Sequence, residues 1–295
     1  MSEPATSAQL LQQGLFHHRQ GDMAQAMERY VEVLRTDPQN PDALYYVAVV
    51  ACQEGQYQQG IALARRAIEF GPPQARVHNL LGQALYREGD RLEAIKNFDR
   101  AIALDPKFAD AHGNRANILA DAGFADEALK SFDRALALNP ASAADWLNRG
   151  SVLQGLGRHD EALASYDKAI VCGDDGAEAH VNRAGVLIDL RRWQEALAAC
   201  ESAIAMAAAF PQAHTARAAA RKGLARLDEA LTSADRAIEL KPDLTDAHKC
   251  RAAILQAMGR EAEAKASLAK AEEIAANSSA ARPRDSGDPE RKTTS

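Results

Sequence analysis

The hydrophobic positions of this sequence recur with a period of 34 residues. Aligned with itself at that shift, the chain matches without a gap from Ser7 to Asn277. With Ser7 as position 1, positions 21 and 28 are apolar in the first seven copies, and residues seven apart share one helix face. The pattern predicts pairs of helices, A and B, of about 13 residues each, stacked as one unit after another.

Small and helix-breaking residues mark the joints of each unit. Position 8 is glycine or alanine in every copy, and position 20 is alanine in seven copies and Gly60 in the other. Because two helices approach closely only over small side chains, we predict tight packing of A against B. Position 15 is glycine in six copies, which favours a helix end with positive φ, and position 32 is proline in five, which ends helix B.

This pattern resembles the tetratricopeptide repeat, which has an aromatic residue at positions 4 and 24, small residues at 8, 20 and 27, glycine at 15 and proline at 32. The resemblance implies an all-α fold, an α-solenoid in which helix-turn-helix repeats form a right-handed superhelix. We expect an N-terminal extension at 1–6 and a disordered tail at 279–295, whose mixed polar composition has no periodicity. The eight predicted repeats within 7–278 are 7–40, 41–74, 75–108, 109–142, 143–176, 177–210, 211–244 and 245–278.

Repeats 6 and 7 depart from the pattern. Arg191 and Ala225 replace the turn glycine, and Cys200 and Ala234 replace the aromatic residue at position 24. We therefore expect looser packing in these two repeats.

The two ends of the array carry polar residues where inner repeats are apolar. Lys265 and Glu272 occupy positions 21 and 28 of repeat 8. Gln9 and Gln13 occupy positions 3 and 7 of the first helix, where repeats 2 and 3 carry apolar residues. Terminal repeats with a polar outer face stop further stacking, so we expect a soluble monomer.

Charge and chain start narrow the possible partners and location. The net charge of −6 provides no basic field for a phosphate backbone, so we expect no nucleic-acid partner. The start of the chain has no secretory signal pattern, and the longest apolar run, 43–52, is too short to span a bilayer. These features predict a cytoplasmic protein without membrane insertion.

A column of histidines at position 4 raises the question of a metal site. The position-4 residues of neighbouring repeats are expected to lie about 10 Å apart, whereas zinc needs its ligands about 2 Å from one ion. The four cysteines form no CxxC pair. We therefore expect packing histidines, no metal and no cofactor. The histidines are His78, His112, His180, His214 and His248.

A second column places arginine at position 7 of repeats 4 to 8. An acidic residue lies sixteen residues before each one, at position 25 of the preceding repeat. We predict that these pairs form salt bridges between repeats, which makes the arginines structural. The pairs are Arg115 with Asp99, Arg149 with Asp133, Arg183 with Asp167, Arg217 with Glu201, and Arg251 with Asp235.

No catalytic motif is present in the sequence, so we expect no enzyme. The family resemblance implies a binding groove lined by positions 2, 5, 6, 9, 12 and 13 of the A helices. Position 6 carries three successive asparagines, whose carboxamides match the N–H and C=O groups of an extended peptide; solvated groove residues with no such role are the alternative. Similar ladders occur in repeats that precede O-linked N-acetylglucosamine transferase domains. The candidate groove residues are Tyr45, Tyr46, Arg76, Asn79, Gln83, Tyr86, Arg87, Asn114, Asn117, Asn148 and Asn182.

The predicted function is a scaffold that binds a protein or an extended peptide in this groove. The alternative is an accessory component that presents substrates to a separate protein glycosyltransferase of the O-linked N-acetylglucosamine transferase type.

Overall fold

The computed structural model describes residues 5–173 and 176–280 of the chain, with side chains as far as residue 278. In these residues it contains sixteen α-helices and no strand, which confirms the all-α prediction. The odd-numbered helices begin at the first residue of each predicted repeat. They are α1 (Ser7–Arg19), α3 (Pro41–Gln53), α5 (Ala75–Arg87), α7 (Ala109–Asp121), α9 (Ala143–Gly155), α11 (Ala177–Asp189), α13 (Pro211–Gly223) and α15 (Thr245–Ala257).

The even-numbered helices follow after a short turn. They are α2 (Met23–Thr36), α4 (Tyr57–Phe70), α6 (Arg91–Leu104), α8 (Ala125–Leu138), α10 (His159–Val171), α12 (Trp193–Met206), α14 (Leu227–Leu240) and α16 (Glu261–Ala280). Helix α16 includes residues 279 and 280, so it extends into the segment predicted as a tail, and the rest of that segment lies outside the described residues. The chain divides into two compact units, unit 1 (Met1–Val152) and unit 2 (Leu153–Ser295).

The helix boundaries follow from local chemistry. Thr6 and Gln9 form a reciprocal capping box at the start of α1, and the Asn40 side chain caps α3 by accepting from the Ala43 N–H at 3.0 Å. Helices α2 and α6 end two residues before Pro38 and Pro106, since proline supplies no N–H and hinders the helix before it.

The turn between helices A and B requires a left-handed residue at position 15. Gly21, Gly55 and other turn glycines have φ between 71° and 89°, and Arg191 and Ala225 adopt the same conformation with φ of 57° and 59°. The turn geometry is therefore kept in repeats 6 and 7, and Cys200 is fully buried. The looser packing expected in these two repeats stays a prediction.

Replacing Ala225 with glycine should stabilise the protein by about 0.5–1 kcal/mol, because glycine removes the strain of a Cβ atom at positive φ. Urea unfolding followed by circular dichroism measures the change. The control is Ala198→Gly, at an exposed position inside α12, which should destabilise by a similar amount. Equal effects of the two changes would contradict the strain argument.

The core of a repeat is built from the aromatic residue at position 24 packed over the small residue at position 8. Tyr30 is fully buried, and Phe98 is 1% exposed. A methyl group added at Gly14 would lie 2.4 Å from the Tyr30 ring, and one at Gly82 would lie 2.8 Å from the Phe98 ring. In these two repeats, a side chain at position 8 would therefore push the covering ring away.

The ring at position 4 closes the joint between consecutive repeats. The Nε2 atoms of His112, His214 and His248 lie 3.2, 2.9 and 2.9 Å from the carbonyl oxygen six residues earlier, and Trp146 donates its indole N–H to the Pro140 carbonyl at 2.9 Å. Burial lowers the pKa of His112 and of His214, which favours the neutral ring that donates through Nε2. The packing role predicted for the histidine column is confirmed at these three positions.

Four of the five predicted arginine–acid pairs are present as salt bridges. Their Nε–Oδ1 distances lie between 2.6 and 2.8 Å, for Arg115–Asp99, Arg149–Asp133, Arg183–Asp167 and Arg251–Asp235. The fifth prediction, Arg217 with Glu201, is wrong. Arg217 lies instead 3.1 Å from Nδ1 of His214, and its Nε is buried without a hydrogen-bond partner among the described residues.

The outer face of α16 agrees with a polar end of the array, because Lys265 and Glu272 are both exposed. No helix within the described residues is both long enough and apolar enough to cross a bilayer.

Candidate functional site

Unit 1 contains an open pocket of about 420 Å³ between its A helices. Helices α3, α5 and α7 supply most of its lining from positions 6, 9, 12 and 13, which are groove positions in the sequence pattern. Apolar and polar side chains alternate around it: Val49, Cys52, Gln53, Tyr57, Leu80, Gln83, Ala84, Tyr86, Arg87, Phe98, Asn114 and Asn117.

Five of the eleven predicted groove residues line this unit 1 pocket: Gln83, Tyr86, Arg87, Asn114 and Asn117. Asn79 is not among the lining residues of this pocket and is only 7% exposed. Its predicted contact with a ligand stays a prediction.

A network of asparagines fixes the orientation of two carboxamides in the unit 1 pocket. Asn114 donates from Nδ2 to Oδ1 of Asn79 at 3.0 Å, and Asn148 donates from Nδ2 to Oδ1 of Asn117 at 2.9 Å. Among the described residues these are the only side-chain hydrogen bonds of Asn114 and Asn117. Asn114 therefore keeps its carbonyl oxygen available, and Asn117 keeps both N–H donors.

Tyr86 and Arg87 set the electrostatics of the pocket rim. The Tyr86 hydroxyl donates to the Asp121 carboxylate, and this hydrogen bond raises the pKa of Tyr86. Asp121 is thereby engaged, whereas Arg87 is exposed and forms no salt bridge within the described part of the chain. The rim therefore presents one cation to a ligand.

Tyr45, Tyr46 and Arg76 form a separate cluster outside the lining of the unit 1 pocket. The Arg76 guanidinium lies 4.6 Å from the Tyr45 ring centre, donates to the Tyr46 hydroxyl at 3.0 Å and pairs with Asp42 at 2.5 Å. Tyr46 also stacks on Tyr30 at 5.1 Å. Because its members satisfy one another, this cluster orders helices α3 and α5.

The remaining predicted residue, Asn182, lines a different pocket, which belongs to unit 2. This unit 2 pocket has a volume of about 540 Å³. Its residues come mainly from α11, α13 and α15: Gln154, Val181, Asn182, Gly185, Ile188, Asp189, Gln212, Thr215, Ala216, Ala219, Leu244, Asp246 and Cys250.

The sequence prediction missed the unit 2 pocket because it followed polar side chains. The signal lies at position 9, where Gly185 and Ala219 replace the larger Gln83 and Asn117 of unit 1. Small residues on a groove face leave empty volume between the helices, and polar side chains alone do not indicate that volume.

No cluster of three His, Cys, Asp or Glu side chains able to hold a metal ion occurs in the residues that the structure describes. Cys250 lies in the unit 2 pocket, where burial raises the pKa of its thiol to about 11. The thiol is thus protonated and neutral near pH 7.

The chain consists of successive pairs of antiparallel helices, and the A helices of these pairs line the pockets. This arrangement defines the class of α-helical repeat proteins. Two models of the tetratricopeptide repeat match the sequence, one over residues 17–84 and one over 79–143, 114–177 and 147–214. The chain belongs to the tetratricopeptide repeat family. No protein among curated sequences matches it significantly.

Solved structures support the same fold. PilW, a type IV pilus biogenesis factor, is 26% identical, with a TM-score of 0.58 over 72% of this chain and 95% of its own. PilF of Pseudomonas aeruginosa is 18% identical, with a TM-score of 0.64 over 73% and 98%. A tetratricopeptide repeat protein of Parabacteroides merdae is 18% identical, with a TM-score of 0.56 over 93% and 95%.

Proposed function

We propose that this chain is a non-catalytic scaffold that binds an extended peptide segment of a partner protein in the unit 1 pocket. Membership of the tetratricopeptide repeat family supports a protein-interaction role. Its action as a cytoplasmic monomer is part of the same proposal.

The observation that carries the proposal is the fixed orientation of Asn114 and Asn117. These residues lie three apart on α7, so their side chains share one helix face. One offers an acceptor and the other offers donors, which together match the N–H and C=O of a peptide backbone. Asn79 and Asn148 act behind them by fixing the two carboxamides.

The rest of the pocket selects side chains. Val49, Leu80 and Phe98 provide an apolar wall for one aliphatic or aromatic side chain, and the Arg87 guanidinium beside it pairs with an acidic one. The occupant is therefore an extended segment with an apolar residue next to aspartate or glutamate.

Presentation of substrates to a separate glycosyltransferase would use the same asparagines. The geometry of Asn114 and Asn117 serves any extended backbone, so it does not favour that alternative over a general scaffold.

The test begins with a phage-displayed library of random dodecapeptides selected on the immobilised full chain. The enriched peptides are then synthesised and titrated by calorimetry. The double variant Asn114→Ala with Asn117→Ala should weaken their affinity about tenfold to a hundredfold, since each lost hydrogen bond contributes about 0.5–1.5 kcal/mol.

The matched control is Asn277→Ala, which makes the same chemical change at an exposed position of α16 and should leave affinity unchanged. Arg87→Glu should in addition reverse the preference for acidic peptides. The proposal would be refuted if every enriched peptide that contains an acidic residue bound the double asparagine variant as tightly as the native chain, or if the library yielded no binder.

A further inference from the structure

The unit 2 pocket is larger than the unit 1 pocket, with a volume of about 540 Å³ against about 420 Å³. Gly185 and Ala219 stand at position 9 of their repeats, where repeats 3 and 4 carry Gln83 and Asn117. Ala216 stands at position 6, where repeat 4 carries Asn114. The space that those longer side chains would fill is open. Val181 and Ile188 form apolar walls, so the pocket fits one bulky aliphatic or aromatic side chain.

An oriented hydrogen-bond donor lies at this pocket. The Tyr166 hydroxyl donates to Oε1 of Gln154 at 2.9 Å, which fixes the carboxamide. Nε2 of Gln154 lies 3.4 Å from the place of a Cβ atom at Gly185, so a Cβ atom there would be in van der Waals contact with this donor and would cover part of it. Glycine leaves the donor open to the carbonyl oxygen of a bound peptide.

The charge of the lining is acidic. Asp189 and Asp246 are both exposed, and within the described residues neither forms a salt bridge; the lining contains no lysine or arginine. Lys222 lies near enough for its charge to act on Cys250, but it is not part of the lining. The unit 1 pocket instead presents Arg87, so the two pockets favour side chains of opposite charge.

We propose that the unit 2 pocket is a second peptide-binding site, which takes an apolar side chain flanked by lysine or arginine. The apolar side chain enters the space over Gly185 and Ala219. Its basic neighbours pair with Asp189 and Asp246, and Gln154 donates to the peptide backbone. The site is independent of the asparagine network in unit 1.

The probe is an array of immobilised heptapeptides with a randomised apolar residue at the centre. Three sets differ only in the flanking residues, which are basic, acidic or glutamine. The full chain should bind the basic set preferentially. The double variant Asp189→Asn with Asp246→Asn should weaken that binding about fivefold to tenfold, as two solvent-exposed ion pairs are lost.

A second variant, Ala219→Trp, fills the pocket and should abolish binding of the basic set. The two aspartate changes are isosteric and preserve the fold, so their result holds even if the tryptophan variant does not fold. Asn114→Ala with Asn117→Ala should leave the basic set unaffected, which separates this site from that of unit 1.

Three results would overturn the proposal: no preference for the basic set, basic peptides that bind the aspartate double variant with native affinity, or equal losses in the unit 1 double variant. If Asn114→Ala with Asn117→Ala weakens binding of the acidic set alone, that result supports the proposed function of unit 1. It does not affect the conclusion about unit 2, which depends on the basic set.

Discussion

Replacing Phe132 with alanine should reduce the free energy of unfolding by about 3–5 kcal/mol, the usual effect of emptying a buried aromatic site. Phe132 is fully buried and packs in one cluster with Ala116, Leu119 and Ala128. Helices α7 and α8 hold these residues on both sides of the ring, so the structure has little freedom to collapse into the space. Unfolding in urea, followed by circular dichroism, measures the change.

Phe124→Ala is the matched control, because it deletes the same ring in the same repeat where the residue is 56% exposed. Its effect should be within about 0.5 kcal/mol, as for most surface substitutions. Hydrogen exchange should show the loss in Phe132→Ala concentrated in α7 and α8, since each repeat is stabilised chiefly by its neighbours. A loss below 1 kcal/mol would contradict the role assigned to position 24.

The fold was predictable because each repeat uses the same packing contacts between its two helices. Gly14 packs beneath Tyr30, and Gly82 packs beneath Phe98. The sequence predicts both contacts, because it places a small residue and an aromatic residue sixteen positions apart. The salt bridges were predictable for the same reason, as a column of arginines is matched by a column of acids.

The individual exceptions were not predictable from the repeat pattern. The Arg217–Glu201 pair satisfied the spacing, yet no salt bridge between them is present among the described residues. Arg217 lies instead near Arg221, and burial, followed by the charge of Arg221, lowers the pKa of Arg217. In the candidate site the sequence identified the polar lining residues, but not that Asn79 is buried. Its burial depends on the packing of α5 against α7, which residue type alone does not specify.

Repeat 7 places two arginines, Arg217 and Arg221, near each other. Arg221 occupies position 11, where Leu119 and Leu187 stand in other repeats. Its Nε, like that of Arg217, is buried without a hydrogen-bond partner among the described residues. Burial, followed by the charge of Arg221, lowers the pKa of Arg217. Arg221 also donates to Ser233 at 2.9 Å.

Repeats 4 and 8 show the arrangement that Arg221 prevents. There the position 7 arginines, Arg115 and Arg251, each donate at 2.7 Å to a serine sixteen residues later. The equivalent partner of Arg217 is Ser233, which Arg221 occupies. Arg217 therefore lacks both the acid and the serine that its counterparts use.

Restoring the common residues together, as Arg221→Leu with Ala234→Phe, should raise the free energy of unfolding by about 2–4 kcal/mol. A buried phenylalanine contributes about 1.5–3 kcal/mol, and removing the buried unpaired Nε of Arg221 contributes about 1–3 kcal/mol. The loss of the Arg221 hydrogen bond to Ser233 at 2.9 Å and of its ion pair with Glu229 at 3.6 Å offsets part of this gain. Leu119 and Phe132 hold the same two positions in repeat 4, where both are buried. Urea unfolding of the two single variants and the double variant completes the measurement.

The two changes should not be additive. Ala234→Phe alone forces a ring against the retained arginine, and overpacking of this kind costs about 1–3 kcal/mol. Arg221→Leu alone relieves the repulsion but leaves the volume above Ala234 unfilled. The double variant should therefore exceed the sum of the single effects, with a coupling of about 1 kcal/mol or more. Additive effects would show that Arg221 and residue 234 do not share one space, and that the arginine is accommodated without cost.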